Sequence, residues 1–131
     1  MVFPIIISFL IGSVLQEKIR INNIKVFGYH GVYDKERDEG QYFYVNIIYS
    51  YDYDYPNDDI QNVKDYTKIV DYLLDRFSGS KYYLLEKLVT SLTNQLKREF
   101  GFNYLKLSIS KEIDISGNKI DITIEKEISN D

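Results

Sequence analysis

The sequence predicts a single α+β domain, a four-stranded antiparallel sheet with two helices on one face, and three observations carry that expectation. Apolar and polar residues alternate in four separate stretches, as in strands that bury one face. Between the second and third of these, two longer stretches repeat apolar residues every three or four positions, as amphipathic helices do. The elements also come in runs, two strands, two helices, two strands, and such runs favour helices gathered on one side of an antiparallel sheet.

Residues 18–27 set Ile19 and Ile21, then Ile24 and Val26, on alternating positions, so a strand with a local irregularity is expected. Gly28 and Gly31 punctuate the chain, and the charged run 34–40 reads as a solvated connection. Residues 41–55 alternate Phe43, Val45, Ile47, Tyr49, Tyr51, Tyr53 and Tyr55 with polar neighbours, predicting an unusually long second strand. Pro56, Asn57, Asp58 and Asp59 end it with turn chemistry. Ile69, Val70, Leu73, Leu74 and Phe77 mark the first helix, stopped by Ser78-Gly79-Ser80. Leu85, Leu88, Val89, Leu92, Leu96 and Phe100 form the stripe of the second, with Gly101 as its C-terminal stop. Leu105, Leu107 and Ile109 mark the third strand and Ile120, Ile122 and Ile124 the fourth, joined around Ser116-Gly117-Asn118. One open sheet leaves two edges and an uncovered face, which oligomerisation would manage most simply.

Composition narrows the function. At 131 residues, against roughly 100–200 per domain, one domain is expected, and 44% apolar with 27% charged residues suits a globular core. Sixteen basic against twenty acidic residues leave a net charge of −4, which argues against a nucleic-acid partner. The absence of cysteine excludes disulfides, thiolate zinc sites and cysteine nucleophiles, and a single histidine, His30, excludes a multi-histidine metal cage. No dinucleotide fingerprint, phosphate loop or nucleophile elbow occurs.

Residues 1–16 form an apolar extension set apart from a domain over 17–128. Its apolar run is shorter than the roughly 20 residues of a membrane span. No Lys or Arg precedes that run, and a chain without alanine cannot carry an Ala-x-Ala cleavage signal. Three readings stand: a misassigned start, a segment packed on the domain or a partner, or a membrane tether. No stable membrane span is expected, and a cytoplasmic location is.

Chemistry-bearing side chains sit at the ends of elements. Glu86 falls in the first turn of the second helix, where the helix dipole favours a carboxylate; an ordinary first-turn glutamate is the plain alternative. Lys111 falls where the third strand's alternation breaks, and reads by default as a solvated lysine. Tyr66, at the start of the first helix, reads as a packing residue, Glu36 as one charge among several, and His30 as a satisfied loop or core histidine.

Taken together these positions resemble a known family. Gly28-Tyr29-His30-Gly31-Val32-Tyr33-Asp34-Lys35-Glu36 through Gly40-Gln41 is similar to the signature of dihydroneopterin aldolase. Asp65-Tyr66, Leu84-Leu85-Glu86-Lys87-Leu88 and Lys111 follow in the family's order, so the resemblance covers roughly residues 18–126. It implies the tunnelling fold, in which four sheets join into an oligomeric barrel and two rings usually stack, making a homo-tetramer or homo-octamer. It also implies cleavage of a small pterin, 7,8-dihydroneopterin, to 6-hydroxymethyl-7,8-dihydropterin and glycolaldehyde in folate biosynthesis. No metal, cofactor or lysine Schiff base is implied, because the N5-protonated ring accepts the electrons. By the resemblance Glu86 grips the aminopyrimidine edge with Leu85 beside it, and Lys111 is the acid/base centre. Tyr66 relays a proton from a neighbouring subunit, and Glu36 holds the hydroxylated side chain. Two positions depart from the pattern: Val63-Lys64 replaces Thr-Val before Asp65-Tyr66, and Glu112 replaces the proline after Lys111. Dihydroneopterin triphosphate epimerase, a non-catalytic pterin-binding or structural barrel subunit and a membrane-associated domain are the alternatives.

Overall fold

The computed structural model describes residues 17–52 and 58–130; the extension 1–16, with Tyr53 and Tyr55 of the expected long strand, lies outside them. Strands β1 (Ile19–Gly28), β2 (Gln41–Ser50), β3 (Tyr104–Ile115) and β4 (Asn118–Ser129) form one sheet in that order, every adjacent pair antiparallel. Between β1 and β2 lies a short helix, α1 (Asp34–Glu39), and between β2 and β3 lie a 3-10 turn (Ile60–Asn62), α2 (Tyr66–Ser78) and α3 (Leu85–Phe100). The α+β class, the four-stranded antiparallel sheet and the two long helices agree with the sequence expectation. Register shifts between Ile21 and Ile24, at the irregularity expected in β1, where Asn23 adopts φ 63° and its N–H donates to the Asn46 side chain at 2.8 Å.

Period-two and helical patterns meet in one core. Phe43, Val45, Ile47 and Tyr49 of β2 and Leu105, Leu107 and Ile109 of β3 are buried beneath Ile69, Leu73 and Phe77 of α2 and Leu88, Leu92 and Leu96 of α3. Burying side chains of this size contributes about 1.5–3 kcal/mol each, so this layer is the principal source of stability. Asp65 caps α2 by accepting the Thr67 N–H at 2.9 Å, and Gly101, at φ 67°, ends α3 in the left-handed conformation. The opposite sheet face is polar: Lys106 pairs with Glu125 at 2.7 Å, and the Ser110 and Thr123 hydroxyls are 2.9 Å apart.

Two segments differ from the sequence expectation. The charged run after Gly31 is helical, not an open connection, because the Glu36 carboxylate reaches back to accept the Tyr33 N–H at 3.2 Å, satisfying a donor at the helix start. The third strand does not break at Lys111 but runs on to Ile115. Ser116 (φ 54°) and Gly117 (φ 81°) make a two-residue turn with positive φ at both positions, the geometry that matches strand twist and carries the hairpin straight into β4.

Candidate active site

Lys111 lies on the core-facing side of β3, in line with Leu105, Leu107 and Ile109, so its stem extends the apolar row and its ammonium emerges where that row ends. There it forms an ion pair with the Glu36 carboxylate of α1, the two side chains being only 10% and 15% exposed. One carboxylate oxygen of Glu36 meets Lys111 and the other accepts the Tyr33 N–H, which fixes the plane of the group. Space for it depends on Gly31, where a Cβ would come within 2.5 Å of the carboxylate. A buried ion pair contributes little net stability because desolvation offsets the attraction.

Arg37 organises the surrounding loop. Its guanidinium donates to the carbonyls of Gly31 at 2.9 Å and Val32 at 2.6 Å, pairs with Asp34, and lies over the Tyr83 ring at 4.3 Å from the centroid. Tyr83 belongs to the connection that feeds α3, whose first residue, Leu85, is buried, while Glu86 follows on the exposed side of the first turn. The structure thus brings Glu36 and Lys111 into contact, while Arg37, next to Glu36, reaches Tyr83, two residues before Leu85.

Tyr66 is not in that neighbourhood. It opens α2 and is 67% exposed. The preceding Lys64 N–H donates to the Tyr51 hydroxyl at 2.9 Å, which ties this end of α2 to the residue following β2. Lys111 lies near the start of β2 instead, because Ser110 faces Tyr44. At about 3.3 Å per residue the two levels are roughly 25 Å apart along the strand. Beside Tyr66 is a cavity of about 380 Å³ lined by Ile60, Gln61, Val63, Lys64, Asp65 and Lys68 with Phe100. A second cavity, about 520 Å³, opens at the C-terminal end of α3 and is also remote from Lys111; Lys97 at its wall is committed to the Phe102 carbonyl and the Asn130 side chain.

His30 is fully buried rather than part of an open loop. Its surroundings depress its pKa below the ordinary 6.5: burial penalises the imidazolium and outweighs the opposing hydrogen bond to the Phe77 carbonyl. Arg37, Tyr82 and Tyr83 are the site-shaping residues that sequence reasoning passed over. Arg37 was hidden in a charged run, and aromatic residues in a tyrosine-rich chain carry little local signal. Among the described residues no group of three or more His, Asp or Glu side chains is placed to hold a metal ion, and no helix is long and apolar enough to cross a membrane.

One antiparallel sheet, helices on a single face and an acid–ammonium pair at the end of the core make an α+β subunit of the kind that the sequence resemblance implies for the tunnelling fold. Comparisons with known proteins point the same way. The family model for dihydroneopterin aldolase (FolB) matches residues 19–126. Dihydroneopterin aldolase of Streptococcus pyogenes serotype M6 is 30% identical over 99 residues, covering 73% of this chain and 83% of that protein. Escherichia coli dihydroneopterin aldolase, solved in complex with neopterin, superposes with a TM-score of 0.72 at 20% identity over 84% of this chain and 98% of that one. A Burkholderia dihydroneopterin aldolase bound to guanine gives 0.72 at 14% identity, over 88% and 93% of the two chains. The chain belongs to the dihydroneopterin aldolase family, pterin aldolases of folate biosynthesis.

Proposed function

We propose that this chain cleaves 7,8-dihydroneopterin by a retro-aldol reaction, releasing glycolaldehyde and leaving 6-hydroxymethyl-7,8-dihydropterin. The observation that carries this reading is the Lys111–Glu36 pair, a charged couple at the end of an apolar row, beside an Arg37 that reaches the connection into α3. Such a pair adds little to stability, so a chemical role accounts better for its presence. In the reaction the side-chain hydroxyl loses its proton as the adjacent carbon–carbon bond breaks, the N5-protonated ring takes the electron pair, and the carbon left on the ring gains a proton. Lys111 is the group that moves these protons, acting through water, and Glu36 holds the substrate hydroxyls.

Glu86 receives the flat ring. Its two carboxylate oxygens match two neighbouring N–H donors on the aminopyrimidine edge, a bidentate geometry that selects pterins and guanine alike, and Leu85 adds backbone contacts. The neopterin and guanine held by the two structural neighbours have this edge in common. Tyr66 acts across a subunit boundary, relaying a proton in the site of a neighbouring chain. Its exposure and its distance from Lys111 within one chain support that arrangement. The working assembly is a homo-tetramer or homo-octamer of the 17–128 domain, cytoplasmic, with neither metal nor cofactor.

Incubation with 7,8-dihydroneopterin and identification of both products tests the proposal directly; pterin binding without glycolaldehyde release would reduce the chain to a binding subunit. One observation favours a second reading. Lys64 and Lys68 line the cavity beside Tyr66, adding positive charge that suits a phosphorylated pterin, so epimerisation of dihydroneopterin triphosphate should be assayed in parallel. Epimerisation faster than cleavage would overturn the first assignment.

A further inference from the structure

We infer that His30 is a positioning residue, one that holds the segment leading into α1, which carries Glu36, and the helix carrying Glu86 in fixed relation; the inference rests on the pterin site proposed above. The imidazole has no exposed surface, yet both its nitrogens are used. Nε2 lies 3.1 Å from the Phe77 carbonyl at the end of α2, and Nδ1 lies 3.0 Å from the Tyr82 backbone nitrogen in the connection between α2 and α3. A carbonyl can only accept and a backbone N–H can only donate, so the ring is neutral with its proton on Nε2.

The next residue completes a clasp. Gly31 N–H donates to the Tyr82 carbonyl at 2.9 Å, so His30 and Gly31 take both backbone groups of Tyr82. Tyr82 passes the constraint on, because its hydroxyl donates to Ser91 Oγ at 3.0 Å, more than a turn beyond Glu86 on α3. One residue thereby ties the segment leading to Glu36, the end of α2 and the rotational setting of α3. The ring sits among Phe43, Phe77 and Tyr82 at centroid separations of 5.7, 4.9 and 6.0 Å. Gly28 admits it, since a Cβ there would lie 2.6 Å from the Phe77 ring and 2.9 Å from His30 itself.

A packing role and a positioning role make opposite predictions for two substitutions. His30→Phe keeps an aromatic ring but orphans the Tyr82 N–H and leaves the Phe77 carbonyl only the Ser80 hydroxyl at 3.3 Å, whereas His30→Asn loses the ring but keeps an acceptor where Nδ1 stood. Dihydroneopterin binding and turnover should be measured well below each variant's melting temperature, together with the rate at which an amine-acylating reagent modifies Lys111. Positioning predicts that His30→Phe weakens pterin binding about 10-fold or more and raises Lys111 acylation several-fold, with His30→Asn closer to wild type in both. Tyr82→Phe, which loses only the bond to Ser91, should weaken binding by about 3-fold without a matching fall in melting temperature.

His30→Phe equal to or better than His30→Asn in binding and in Lys111 protection would overturn the inference. If His30→Phe does not fold, His30→Asn and Tyr82→Phe decide it: wild-type binding and acylation in both would count against positioning. A wild-type protein that binds no pterin speaks against the proposed function instead, and the order of Lys111 acylation rates then decides the role of His30 alone.

Discussion

The two ends of the sheet share aromatic packing but differ in the charge they bury. At one end Lys111, Glu36, Arg37 and His30 are held by ion pairs and hydrogen bonds from loops and short elements. At the other, Tyr49 lies 4.6 Å from Phe102 and 6.0 Å from Tyr51, ring centroid to centroid, in a buried aromatic cluster. Burial there, with smaller contributions from Tyr51 and Asp65, pushes the Tyr49 phenol up to about 12. The contrast teaches that chemistry is concentrated along the strands: one end is packed by aromatic rings alone among its named groups, and the other adds a buried ion pair to its packing. Tyr66, the one expected site residue on the packed end, stands outside the aromatic cluster and faces solvent.

The widest separation between the ends should come from the charged one. Lys111→Ala is expected to lower turnover by about 100-fold or more, the usual scale of general acid–base assistance, while pterin binding stays measurable. Glu86→Ala should mainly abolish binding. Steady-state kinetics with a titration of bound pterin check both, and equal loss of rate and affinity in each variant would contradict the division of roles.

If Tyr66 serves a neighbouring subunit, inactive Tyr66→Phe and inactive Lys111→Ala chains refolded together at equal ratio should recover about a quarter of wild-type turnover, because random pairing leaves that share of sites intact. No recovery from a mixed assembly would restrict Tyr66 to packing. Glu36→Leu removes the partner of a mostly buried ammonium and should cost about 3 kcal/mol of stability, read as a lower denaturation midpoint alongside loss of activity. Phe102→Leu, at the packed end, should cost about 1–2 kcal/mol yet leave kcat unchanged at temperatures where the variant is folded.

The smallest effect is expected from pH. The pKa of His30 is lowered by folding, so the unfolded chain binds more protons once pH falls below the ordinary 6.5. The contribution of the neutral ring is complete above that value and declines as pH drops towards the depressed folded value. Melting temperatures measured from pH 7.5 downwards should show this loss in wild type and a weaker slope in His30→Phe. The same slope in both would exclude the imidazole as its source.

Much of the architecture is legible in single residues. Ile69, Leu73 and Phe77, Leu88, Leu92 and Leu96, and the alternating rows of β2 and β3 announce their elements through spacing alone, because burial on one face imposes a period on the chain. The candidate site residues were read as a set, through motif order. The helical state of residues 34–39 was not, because a polar helix whose start is satisfied by its own Glu36 has no apolar period to read. Nor was the continuation of β3 beyond Lys111, which depends on a turn and on a partner strand.

Composition and periodicity therefore specify which residues are core, which are strand and which chemistries are missing, since these follow from local geometry and from solvent. The contact between Glu36 and Lys111, the clasp of His30 on Tyr82 and the isolation of Tyr66 follow from distant segments being brought together. No local pattern encodes them, because each needs a partner dozens of residues away whose position is set by the packing of the whole domain.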